Sequence, residues 1–62
     1  MFEYTKQILV KVSFDKKLFR KELEKAMIWL RKEEKHLLRL WCLATFSPHY
    51  SSIIAEVFRK FS

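Results

Sequence analysis

Residues 37–46 read LLRLWCLATF, a stretch with one charged residue, Arg39, and one other polar residue, Thr45. On a helix, positions spaced i, i+3, i+4 and i+7 share one face. In this stretch that face consists of Leu37, Leu40, Trp41 and Ala44. The other faces are also largely apolar, and such a helix is normally surrounded by other elements. We therefore predict an all-α fold, a small three- to four-helix bundle around a central apolar helix at about residues 34–46.

The length and composition predict one small helical domain over residues 1–62. Half of the residues are apolar, which is not typical of a disordered tail. A chain this short buries only about 60% of the surface that its unfolded state exposes, so its own core gives it little stability. The ten aromatic rings are also many for so small an interior. Self-association, or binding to a protein partner, is therefore expected.

The single cysteine, Cys42, cannot form an internal disulfide, and it lies in the most apolar segment. A free buried cysteine favours a reducing compartment. Near the N-terminus, Glu3, Lys6 and Lys11 interrupt the only candidate for a signal segment. These observations predict a cytoplasmic location.

Residues 2–12 fit two patterns. Tyr4, Ile8 and Val12 are spaced by four, as on a helix, whereas Ile8, Val10 and Val12 are spaced by two, as on a strand. The sequence offers no second convincing strand, and an unpaired strand leaves backbone groups without partners. We predict a short helix, with Thr5 as its N-cap. The alternative is a strand that pairs with another chain.

A second helix is predicted over residues 16–30, after Ser13 or Asp15 as the N-cap. It could continue unbroken through residue 46, because neither glycine nor proline intervenes. We favour a break at residues 31–34, since Glu33 and Glu34 suit the positive end of a helix dipole. Ser47 and Pro48 then predict a last helix over residues 48–60, as N-cap and first helical residue. The predicted core consists of Ile8, Leu9, Val12, Leu18, Phe19, Leu23, Met27, Leu30, Leu37, Leu40, Trp41, Ala44, Tyr50, Ile54 and Val57.

The sequence contains no arrangement typical of an enzyme or a metal site. His36 and Cys42 are six residues apart, so they do not share a helix face, and His49 lies in a different predicted element. A zinc site needs about four ligands with short paired spacings. The absence of glycine argues against phosphate-binding loops of the usual kind. We predict no enzymatic activity, no cofactor, no metal and no small-molecule substrate.

The preferred function is a protein–protein interaction or homo-oligomerisation module. The candidate apolar contacts are Ile28, Trp29, Phe58 and Phe61. Ile28 and Trp29 lie partly off the main stripe of the second helix, whereas Phe58 lies beside the apolar face of the last helix and Phe61 lies on it. Membrane-surface binding is disfavoured, because the apolar stripe of the second helix is equally what a bundle core requires.

The alternative function is nucleic-acid binding. The net charge is +6, and no Lys or Arg occurs between residues 40 and 58. The candidate basic face consists of Lys17, Lys21, Lys25, Arg20, Arg31 and Lys32. Against sequence-specific recognition, the chain has no asparagine, and the helix after the break is apolar and opens with acidic residues.

Overall fold

The computed structural model describes residues 1–61 and contains four helices. These are α1 (Phe2–Lys11), α2 (Lys16–Trp29), α3 (Lys32–Phe46) and α4 (Ser51–Phe61). Both α2 and α3 pack against α4 and against α1, so the four helices form a ring around one core. The structure confirms the all-α bundle, and within residues 1–61 it has no strand.

The first helix begins earlier than predicted. Residues 2–11 are helical, which confirms a helix rather than a strand here. Thr5 is not the N-cap; it is buried inside the helix, and its hydroxyl donates to the Met1 carbonyl at 2.8 Å. This bond satisfies a hydroxyl that would otherwise be buried without a partner.

The break between the second and third helices is confirmed, because α2 ends at Trp29 and α3 begins at Lys32. Of the two candidate caps for α2, Asp15 is the one used, and its carboxylate accepts the Lys17 backbone N–H at 2.9 Å. At the start of α3, the Glu34 carboxylate accepts the backbone N–H of Arg31 at 3.0 Å. Both bonds satisfy donors that a helix N-terminus leaves unpaired.

The last helix begins three residues later than predicted. Residues 47–50 form a turn, which includes a cis Ser47–Pro48 peptide bond, and α4 starts at Ser51. The Pro48 carbonyl accepts both the backbone N–H of Ser51 at 3.3 Å and its hydroxyl at 3.0 Å. Because Pro48 closes this turn, the predicted roles of Ser47 as N-cap and Pro48 as first helical residue are wrong.

Eight of the predicted core residues are buried: Leu9, Phe19, Leu23, Met27, Leu30, Tyr50, Ile54 and Val57. Ile8, Val12 and Trp41 are only partly buried. The prediction is wrong for Leu18, Leu37, Leu40 and Ala44, which are exposed. In α3 the buried face instead carries Leu38 and Cys42, which are spaced i, i+4 and have no exposed surface.

The error in α3 has a physical cause. The helix has apolar residues in more than one row, and its neighbours bury Leu38 and Cys42 completely while they leave Leu37 and Leu40 half exposed. The prediction that other elements surround this helix on nearly all sides is therefore wrong. A pattern that is apolar on several faces cannot indicate which face is buried.

Aromatic rings join three parts of the bundle. The Phe19 ring on α2 lies 4.9 Å from that of Phe46 at the end of α3, and 4.7 Å from that of Tyr50 just before α4. Phe46 also contacts Trp41 edge-on, with the ring centres 5.4 Å apart. Such contacts stabilise aromatic pairs beyond the burial of area alone.

Candidate interaction surfaces

One face of α3 presents apolar side chains on the surface, and we call it the α3 outer face. It consists of Leu37, Leu40, Trp41 and Ala44. Leu37 is 53% exposed and Leu40 is 50% exposed, whereas Trp41 is half-buried. None of the four side chains is charged or forms a hydrogen bond within residues 1–61. This is the face that the sequence pattern identifies but assigns to the core.

Contacts with α1 hold one edge of the α3 outer face in place. The Lys6 ammonium lies 5.5 Å from the Trp41 ring centre and 5.1 Å from that of Phe2. Trp41 also packs edge-on against Phe46. The indole is therefore ordered before any partner binds, which lowers the entropy cost of using it in an interface.

The four candidate apolar contacts do not form one surface. Ile28 is 75% exposed and Trp29 is 55% exposed, at the C-terminal end of α2. Phe58 is buried, because it lies on the core side of α4, so its assignment as a surface contact is wrong. Phe61 is partly buried against the same core. Only Ile28 and Trp29 remain as an exposed pair.

The candidate basic face on α2 is interrupted by acidic residues. Its exposed members are Lys17, Lys21, Lys25, Arg31 and Lys32. The Lys25 ammonium lies 3.6 Å from the Glu22 carboxylate. Arg31 lies between α2 and α3, and Lys32 opens α3, so neither belongs to the face of α2. The candidate basic residues are therefore divided among α2, the connection after it and the first turn of α3.

Arg20 belongs to an ion-pair network rather than to an open basic surface. Its guanidinium lies 2.9 Å from the Glu56 carboxylate on α4 and 3.5 Å from the Glu24 carboxylate on α2. The hydrogen bond that Arg20 donates to Glu56, and then the charge of Glu56, raise the pKa of Arg20. The same hydrogen bond and charge lower the pKa of Glu56. Arg20 therefore joins α2 to α4.

A second basic surface, which the sequence analysis missed, surrounds a groove between α3 and α4. This α3–α4 groove has a volume of about 610 Å³. Its lining residues are Met27, Lys32, Lys35, His36, Arg39, Ala55, Phe58 and Arg59. The signal in the sequence is the spacing of Lys32, Lys35 and Arg39, at i, i+3 and i+7, which puts them on one side of a helix.

Cys42 is enclosed in the core and has no exposed surface. Burial raises the pKa of its thiol to about 12. At neutral pH the group is therefore a protonated thiol, which is the unreactive form.

Within residues 1–61, no group of three or more His, Cys, Asp or Glu side chains is placed to hold a metal ion. None of the helices in this part of the chain has both the length and the apolar character needed to cross a membrane. No protein family, curated protein or solved structure matches the sequence.

Proposed function

We propose that the protein is a non-enzymatic interaction module that forms a homodimer through the α3 outer face. The observation that supports this most directly is the half exposure of Leu37 and Leu40 on a face without charge. Contiguous exposed apolar surface on a small protein typically marks a binding site. The small core adds to the argument, since a second copy would supply further burial.

The α3 outer face is complementary to itself. If two copies of α3 pack antiparallel about an axis between Leu40 and Trp41, Leu37 meets the partner's Ala44. In the same arrangement Leu40 meets the partner's Trp41. A large side chain then faces a small one at each end, and the same patch is used on both copies, as in a twofold dimer. None of the four residues is charged, but the Lys6 ammonium lies at the edge of the face, 5.5 Å from the Trp41 ring centre, so the dimer brings the two Lys6 side chains toward each other.

The strength of such a dimer can be bounded. Complete burial of a leucine side chain contributes roughly 1.5–3 kcal/mol, so covering its exposed half contributes about 1 kcal/mol. Association opposes this gain with several kcal/mol of lost translational and rotational freedom. The burial gain from two leucines and one partly covered indole on each chain is of the same order as this cost, so the dimer is weak, with a dissociation constant of roughly 10⁻⁴–10⁻³ M.

The net charge distinguishes self-association from binding to an anionic partner. Two chains of net charge +6 repel each other, and salt screens that repulsion. Dimerisation through an uncharged face should therefore strengthen as salt increases. Binding to nucleic acid should weaken steeply under the same change, because phosphate contacts release counterions.

Sedimentation equilibrium tests the proposal, at protein concentrations from about 20 µM to 2 mM, a range that spans the expected affinity. The unmodified chain should form dimers across this range, and Leu40→Lys should be monomeric with its helical circular dichroism retained. Leu18→Lys is the matched control, since Leu18 is also exposed but lies on α2. A monomer at all concentrations, or equal effects of the two variants, would contradict the proposal.

Trp29→Ala tests the other exposed apolar pair. Loss of dimer in this variant, with Leu40→Lys still dimeric, would move the interface to Ile28 and Trp29. Fluorescence anisotropy with labelled duplex DNA, at about 50 and 200 mM salt, tests the alternative function. The dimer proposal would be replaced by nucleic-acid binding if the chain binds DNA with an affinity that falls steeply with salt. The variant with Lys17, Lys21 and Lys25 changed to Glu should then bind no DNA.

A further inference from the structure

We infer that the α3–α4 groove binds a small amphipathic anion, a carboxylate or phosphate carried on an unbranched alkyl chain. The inference does not depend on the dimer, because the groove and the α3 outer face use different residues. A small-molecule ligand was not predicted from the sequence, so this inference departs from that prediction. It rests on three features of the groove: an apolar floor, a basic rim and a volume suited to such a ligand.

The floor of the groove is apolar. Met27 on α2 and Phe58 on α4 contribute to it, and their side chains are 3% and 8% exposed. Ala55 is also on α4, one turn before Phe58, and its small side chain leaves space above the floor. Because Met27 and Phe58 are themselves almost fully covered, the apolar surface that an alkyl chain would remove from water is that of the exposed Ala55 and of the aliphatic stems of the lysine and arginine side chains around it.

The rim of the groove is basic. Lys32, Lys35 and Arg39 follow one side of α3 over two turns, which is about 10 Å along the helix axis. His36 lies between them, and Arg59 lines the groove from α4. Among the residues that line the groove, all within the described part of the chain, there is no Asp or Glu. Charge-assisted hydrogen bonds to an anionic headgroup are therefore favoured along this rim.

Of the acidic residues nearest in sequence, Glu56 and Glu34 have other partners, and Glu33 does not line the groove. Glu56 precedes the groove residues of α4 but binds Arg20 at 2.9 Å. Glu34 lies between Lys32 and Lys35 but accepts the backbone N–H of Arg31. Neither carboxylate lines the groove. The charge of Arg59 does help to lower the pKa of Glu56, so the cations available to a headgroup are Lys32, Lys35 and Arg39 on α3.

The size and the floor favour an amphipathic ligand over inorganic phosphate or a nucleic-acid strand. The volume of about 610 Å³ falls in the range of ligand pockets, roughly 300–1,000 Å³. Inorganic phosphate would leave the apolar floor in contact with water. A single strand needs exposed aromatic faces on which its bases stack, whereas the Phe58 ring is almost fully covered by its own chain.

The test uses octyl phosphate and octanoate below their micellar concentrations. Isothermal titration calorimetry should show one site per chain, and the amide shifts in ¹H–¹⁵N NMR spectra should change at residues of the groove. In the series hexyl, octyl and decyl phosphate, affinity should rise by about fourfold per buried methylene. The same titration of Leu40→Lys should give an unchanged affinity, which separates this inference from the dimer proposal.

Variants of the rim and floor sharpen the test. Lys35→Gln combined with Arg39→Gln should weaken octyl phosphate binding by at least about tenfold, through lost charge-assisted contacts. Lys17→Gln combined with Lys21→Gln removes the same charge from α2 and should leave the affinity within about twofold, because salt screens distant charges. Ala55→Leu should weaken binding of the longer chains by filling the space above the floor.

Three results would overturn the inference. Equal affinity for inorganic phosphate would show that the floor plays no part. Equal affinity for octyltrimethylammonium would show that the rim does not select an anion. Tighter binding of a short single-stranded oligonucleotide, lost in the Lys35 and Arg39 double variant, would identify the groove as a nucleic-acid site.

Discussion

The hydroxyl of Tyr50 donates a hydrogen bond to the backbone carbonyl of Ser13, which lies 37 positions earlier in the chain. This bond joins the turn before α4 to the connection between α1 and α2. The Tyr50 ring is buried and lies 4.7 Å from that of Phe19. The tyrosine therefore links two connections that the sequence separates by two helices.

Removing this hydroxyl should destabilise the fold. We expect Tyr50→Phe to lower the free energy of unfolding by about 1 kcal/mol, because the ring still packs while the Ser13 carbonyl loses its partner. Urea unfolding followed by circular dichroism measures the change. Tyr4→Phe is the matched control, since Tyr4 is 57% exposed, and it should have almost no effect. Equal stabilities of the two variants would mean that the bond contributes nothing in solution.

The two leucine rows of α3 should respond differently to truncation. Leu38 has no exposed surface, so Leu38→Ala should cost about 2–5 kcal/mol through lost burial and a residual cavity. Leu40 is 50% exposed, and Leu40→Ala should change monomer stability by no more than about 0.5 kcal/mol. Both are measured by urea unfolding at a protein concentration low enough to keep the chain monomeric. If Leu40→Ala lowers the free energy of unfolding more than Leu38→Ala does, the row with Leu40, and not the row with Leu38, faces the core.

The ion pair between Arg20 and Glu56 should be visible in the titration of the carboxylate. Arg20 lowers the pKa of Glu56 from its ordinary value of 4.5. The stability linked to this shift is present above pH 4.5 and is lost as the pH falls through the lower, folded-state value. In Arg20→Gln, the pKa of Glu56 should rise toward the ordinary value, as measured by ¹³C NMR of the carboxyl group. Lys25→Gln disrupts a different pair and should leave the pKa of Glu56 unchanged; an equal rise there would contradict a specific role for Arg20.

Cys42 should be unreactive in the native protein. Because the thiol has no exposed surface and its pKa is raised to about 12, a thiol reagent at about pH 8 should label it only after unfolding. Labelling of the folded chain at the rate of a free cysteine would contradict its burial.

The same pKa shift predicts an effect of alkaline pH on stability. The unfolded chain releases the Cys42 proton near pH 9, whereas the folded chain keeps it until about pH 12. Stability from this group is therefore complete below pH 9 and is lost between pH 9 and 12, by at most about 1.4 kcal/mol per pH unit for one proton. Urea unfolding of the native chain and of Cys42→Ala over this range isolates the contribution. If the free energy of unfolding depends on pH in the same way in both proteins, Cys42 makes no such contribution.

Features that depend on neighbouring residues could be predicted from the sequence. The helical stripe of α2, its cap at Asp15 and the break before Lys32 are local, because each depends on backbone donors or spacings within about one turn. The first residue of α4 is harder to predict from the sequence, because Ser47 and Pro48 are compatible both with a helix that begins at Pro48 and with the turn over residues 47–50 that the structure contains. The pairing of Arg20 with Glu24 is also readable from i, i+4 spacing, whereas its pairing with Glu56 is not.

The α3–α4 groove likewise has a part that can be predicted from the sequence and a part that depends on helix packing. The row of Lys32, Lys35 and Arg39 is visible in the sequence, but the apolar floor that Phe58 provides depends on how α4 packs beside α3. By itself, the sequence determined that this chain forms helices and that α3 has an apolar row at Leu37, Leu40, Trp41 and Ala44. Only the tertiary structure decided that Leu38 and Cys42 face the core and that this row faces outward. The physical reason is that periodicity describes one helix, whereas burial depends on which of its faces the neighbouring helices cover.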